Sequence, residues 1–409
     1  MNRTRSGRLA LVLALALSGC ATPVAPRFQE VPDVEGESTA VDESGSATPA
    51  RSPASYRSLD IGVRGSGISL GNSRRWNGLR INLRDHGVER VEGVNLTLWS
   101  PGNPGLERMD GIAIGVAPVA SRSTGVSAGL LASVAERSMT GVHVAGLATV
   151  SGGTQDGINA AGLAVVSDGS MEGIGVGGLA VVSSGSLSGL HAAGLAVVNE
   201  GSSRGLNVAG LAVVNEGGPG GFGITGRSDD SPRTIGAGGM RGVSVAGLAV
   251  VSGGEINGIS LAGLATVADG GLHGVGISGL ATVFGEELRG IGLAGLAVSG
   301  DELDFRSLIP DSAPDGNRNT SASGIMLAGY RIQANEIHGI AGAGLVTRAH
   351  DMTGLSFAAY NGVSGRQTGM SVGLFNYASE LRGIQIGVLN YVGDNPFWLR
   401  WLPILNMRF

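Results

Sequence analysis

Six histidines, His86, His143, His191, His273, His338 and His350, are the first places to look for metal or acid–base chemistry in this chain. A metal site needs three or four ligands that converge. His143 and His191 instead occupy the same place in two copies of a repeated text, and other copies put Asn159, Gly175 and Asn207 there. The position tolerates small or polar groups, so both histidines read as exposed strand residues rather than ligands. Asp168, Glu200, Glu216, Asp269 and Glu286 stand among Ser, Asn and Gly in turn-like text. A row of them would hold calcium weakly, but the nonapeptide aspartate spacing of calcium-binding repeats is missing, and they read as solvated turn residues. Gly173-Ile174-Gly175-Val176-Gly177-Gly178 has the glycines of a phosphate cradle without a following helix to supply the dipole. Gly242-Val243-Ser244-Val245-Ala246 lacks the second glycine of a nucleophile elbow. The expectation is a chain with no catalytic residues, no metal site, no bound cofactor and no enzymatic activity.

The single cysteine, Cys20, rules out a disulfide framework. Residues 1–19 carry Arg3, Arg5 and Arg8 and then an apolar run over 9–17. That run is too short to span a bilayer, which takes about 20 residues, and has the layout of a secretory signal. It ends Leu17-Ser18-Gly19-Cys20, which resembles the bacterial lipoprotein signal. The resemblance implies cleavage before Cys20 and acylation of its sulfur and new amino group, with palmitate among the acyl chains. Two or more chains anchor a protein stably where one is marginal. Ala21 after the cysteine resembles outer-membrane rather than inner-membrane sorting. Loss of the three arginines takes the formal charge from −5 to −8, and an acidic chain without basic clusters is a poor nucleic-acid binder. Residues 20–55 hold five prolines, six acids and no apolar period. They read as an acylated cysteine followed by a disordered tether.

The elements come next. Glycine makes up 73 of 409 residues, and a repeat accounts for the excess. Units of 16 residues begin at Gly141, Gly157, Gly173, Gly189 and Gly205, another at Gly221, and the period resumes at Gly242, Gly258, Gly274 and Gly290. Looser units start at Gly78, Gly93, Gly111 and Gly125, and at Gly324, Gly339, Gly354, Gly369 and Gly383. Counted from the first glycine, positions 2 and 4 are apolar, 3 is small or polar, 6 is glycine, 7 leucine, 8 alanine and 10 valine. Position 15 is apolar in most units (Met171, Leu187, Ile256, Leu272, Leu288). Alternation of period two argues for strands, and Ser-Asp-Gly or Asn-Glu-Gly at 11–13 is turn chemistry. Leucine at position 7 is expected to point inward after a bend at the preceding glycine. If outward, it forms a long apolar strip that needs a partner.

An all-β repeat body is therefore expected over 56–395, with a C-terminal strand or cap over 396–409. Near-identical successive units suit a parallel β-solenoid, where every coil meets the same surroundings. Insertions after Gly226, after Ser299 and near Pro101–Pro104 would leave it from one side. The alternative is an antiparallel meander or outer-membrane β-barrel, in which alternate strands exchange ends. The apolar even-numbered face and the terminal text through Trp401, Leu405, Met407 and Phe409 speak for it, and the missing aromatic girdle speaks against it.

The text GIQIGVLNY at 383–391, MSVGLFNYASELRG at 370–383, WNGLRINLRDHGVERVEGVNLTLW at 76–99 and the ending FWLRWLPILNMRF resemble the bacterial surface-repeat proteins first described in Leptospira. The resemblance covers roughly 56–409. The central GLAVV units depart from it, the family more often having GLVNV. It implies a surface location and no catalytic residues. The sequence thus leads to a structural, adhesive or interaction role at the cell envelope. The partners expected are the outer membrane through Cys20 and an unidentified protein or surface polymer. The alternative is a β-barrel with a pore or transport role.

Overall fold

The computed structural model describes residues 58–99, 105–217, 238–300 and 320–408. Each regular unit folds into one coil of two strands. In the unit around Gly173 a long strand, Met171–Gly177, is followed by a two-residue bend and a short strand, Ala180–Ser183. Three residues of turn then lead to the next long strand, Leu187–Ala193.

The strands of the stack pair in parallel, and in register apart from one shift between Ala120 and Arg122. Gly173 faces Gly157 on one side and Gly189 on the other, and Val181 faces Val165 and Val197. The fold is a parallel β-solenoid of about 16 turns, which at ~4.8 Å per coil makes the body roughly 77 Å long. Parallel pairing removes the antiparallel meander and the barrel, whose neighbouring strands must run in opposite directions. Gly205 pairs directly with Gly242. The unit expected at Gly221 lies outside the described residues.

Two glycine columns allow this spacing. The first glycine of each unit has positive φ (Gly157 +108°, Gly173 +106°, Gly189 +120°), and a Cβ on Gly173 would sit on the carbonyl of Gly157. At the bend, a Cβ on Gly178 would meet the carbonyl oxygen of Gly162. No other residue type fits there without driving the coils apart.

The core holds Met171, Leu187, Ile256, Leu272 and Leu288 from position 15 and Val165, Val181, Val197, Val213 and Val250 from position 9, all buried. Antiparallel strands close both ends. Ser58–Val63 pairs with Ser66–Gly71 through a turn in which Arg64 and Gly65 both have positive φ. That is the geometry of a tight hairpin. Trp401–Arg408 runs antiparallel to the last coil, Arg408 opposite Gly383. A solenoid needs such capping because an open end exposes a row of unpaired backbone groups.

Candidate interaction surface

The residues that would do chemistry are not brought together. Among the described residues no group of three or more His, Cys, Asp or Glu side chains is placed to hold a metal. Cys20 and Phe409 lie outside the described residues. Asp168, Glu200, Asp269 and Glu286 are exposed on the turn that follows the short strand, as turn residues should be. Glu216 is partly covered, and burial followed by the neighbouring Glu200 charge raises its carboxyl above the usual range.

The two histidines of position 3 are not exposed. His143 and His191 have 0 % and 1 % of their surface accessible. They belong to an internal polar column in which His143, Asn159, Gly175, His191 and Asn207 follow one another in register. The side chain of His191 leans into the space left by Gly175. The rings of His143 and His191 find no side-chain partner, only a weak backbone contact at Thr140 and Ser188, and neither amide atom of Asn159 has a partner. Burial lowers both histidines from their ordinary value, His191 to about 4. Alternation alone gives two faces without saying which is inside, and here the polar face is inside.

Both ends of this interior are also polar. Arg80 is fully buried, and its guanidinium donates to Asp85 at 2.5 Å, Asn95 at 2.9 Å and Asn72 at 3.1 Å. Thr97 donates to the second oxygen of Asp85 at 3.0 Å. A small cavity beside Asp85, Asn95 and Met109 has room for about one water. At the other end Asn361 donates to Asn376 at 2.8 Å and Asn376 to Asn390 at 2.7 Å. Stacked rings of Tyr360 with Phe375 and of Tyr377 with Tyr391 flank this asparagine ladder.

The outside is correspondingly apolar. Leu147, Leu163, Leu179, Leu195, Leu264 and Leu280 each expose 38–48 % of their surface. The leucine column thus faces outward, contrary to the expectation that it turns in after the bend. The two-residue bend places position 5 inside and position 8 outside, and leucine 7 forms the edge between them. Positions 2 and 4 cover the long-strand wall, with Ile158, Val176, Leu190 and Ile277 exposed. Alanine 8 and valine 10 cover the short-strand wall. From residue 141 to 299 none of these five columns contains a charged side chain. Charge collects on the opposite edge, at positions 12–16, where Glu172, Glu200, Arg204 and Arg241 are exposed.

The leucine edge also spends its own backbone polarity. Leu163 N–H donates to the carbonyl of Leu147 at 2.8 Å and Ala164 N–H to the same carbonyl at 3.0 Å, and the pattern repeats at Leu179, Leu195 and Leu211. Phe397 and Trp398 at the C-terminal cap are 82 % and 78 % exposed. Among the described residues no helix is long and apolar enough to cross a membrane. Comparison with family models, curated proteins and solved structures finds no match to this chain. What the geometry shows is a long apolar edge with an acidic and polar edge behind it.

Proposed function

We propose that this chain is a non-enzymatic lipoprotein of the outer membrane with a structural, adhesive or interaction role. In this reading residues 1–19 are its signal, Cys20 its acylated anchor, and residues 20–55 the tether that carries the β-solenoid. The observation that carries the reading is the leucine edge with its two walls, free of charge over nine coils, a surface suited to contact rather than to reaction. The lipoprotein-like text ending at Cys20 and the resemblance to surface-repeat proteins point to the same compartment.

The test is chemical. Intact-mass and peptide analysis of the protein from its outer-membrane fraction should find a mature chain that begins at Cys20 with acyl groups on it. Cys20→Ala should abolish incorporation of labelled palmitate. A mature chain that starts elsewhere, or one whose Cys20 is a free thiol, overturns the anchoring.

A further inference from the structure

We propose that the solenoid itself docks on lipid. The leucine edge and the walls beside it sink into the acyl region of one leaflet, and the charged edge faces water. The inference deepens the envelope reading and rests on it for the presence of a membrane, but not on acylation of Cys20.

Four observations carry it. The first is extent. Nine coils free of charge at positions 2, 4, 7, 8 and 10 give a continuous apolar band ~43 Å long, and a contiguous exposed apolar patch marks an interaction or membrane surface. The second is shape. The band covers two walls and the edge between them, so a second rigid body could cover one wall and would leave the others wet. A fluid hydrocarbon covers all three. The third is the backbone. Hydrocarbon tolerates only main chain whose polar groups are already bonded, and Leu163, Ala164 and Leu179 at the edge donate along the axis to neighbouring coils. The stacking of the coils thus already meets the condition that hydrocarbon sets. The fourth is the position of the described residues next to the two later insertions. Gly217 and Gly238, the described residues flanking 218–237, lie on the charged edge, as does Thr320, and Gly300 is the buried glycine just after the short strand that runs toward that edge. The acidic charge makes the attraction apolar rather than electrostatic.

The test uses the chain from residue 20 carrying Cys20→Ala, since the apolar leader would itself bind lipid. This background has no other cysteine, so Leu179→Cys and Ser184→Cys each accept one environment-sensitive dye. With vesicles of phosphatidylethanolamine and phosphatidylglycerol at high salt, the protein should float with lipid. The dye at 179 should shift to the blue and escape an aqueous quencher, and the dye at 184 should stay quenchable. Leu163→Asn, Leu179→Asn and Leu195→Asn combined should weaken partitioning on the order of 100-fold, and Ser184→Arg should leave it unchanged. A monomer that stays in solution with both dyes quenched overturns the proposal. So does a dimer that shields position 179 without lipid, because the occupant is then a second copy. Failure of acylation at Cys20 would sink the anchor and leave this result standing. If the triple variant misfolds, the two dye positions still decide.

Discussion

His191 is held neutral by burial inside a polar column, against a weaker backbone contact at Ser188. With its pKa at about 4 in the fold against about 6.5 in the unfolded chain, the unfolded chain takes up the proton first as pH falls. Stability from this residue is therefore complete above pH 6.5 and is lost between pH 6.5 and about 4, in total roughly 3 kcal/mol. His143 acts in the same direction. Urea midpoints measured across that window should fall more steeply for the parent than for His143→Asn with His191→Asn; identical slopes would remove the column from the acid response. A second residue-scale expectation concerns the bend. Gly178→Ala puts a methyl on the carbonyl of Gly162, and its cost should exceed the ~1 kcal/mol typical of a point substitution. An unchanged denaturation midpoint would mean the coils are not stacked this closely.

At the scale of the element, the coil is a unit that can be removed whole. Deleting residues 173–188 brings Gly189 onto Gly157 with every column still in register, so the chain should fold and melt within a few degrees of the parent. Deleting residues 173–180 shifts the phase of every later column and should yield insoluble protein. Circular dichroism and solubility of the two deletions distinguish them. The coil was largely legible in the text. The exact period predicted parallel stacking, and glycine 6 marked the bend. Glycines 12 and 13, with their serines and acids, marked the turn. What the text hid was which side of each strand is inside. Ile174 and Val176 look like core residues and His191 like a surface one, because apolar residues are usually buried. The interior of so small a coil has little room between its two sheets. Position 15 of the long strand and position 9 of the short strand fill it, leaving positions 3, 5 and 11 to small or polar groups. The candidate surface was half-legible for the same reason. The leucine column was visible, but glycine 6 marks only where the bend falls, and no residue type tells which way the side chain after it points.

At the scale of the molecule, the described body is a stack closed at both ends. Removing residues 393–409 strips the antiparallel strand from the last coil and exposes its ladder, including the amide of Asn390 that now bonds the carbonyl of Leu402 at 3.2 Å. Such an edge is a template for another chain. Sedimentation of the truncated protein should show concentration-dependent association where the parent shows none, and a strictly monomeric truncation would assign the capping elsewhere. Between those closed ends the coils contact only their neighbours, so nothing fixes their number. A tandem duplication of 48 base pairs, in phase with the unit, would add one rung of ~4.8 Å. It would lengthen the leucine edge by one side chain and disturb no existing contact. The molecule is in that sense a ruler whose graduations are written in DNA, and slippage during replication is enough to change its length.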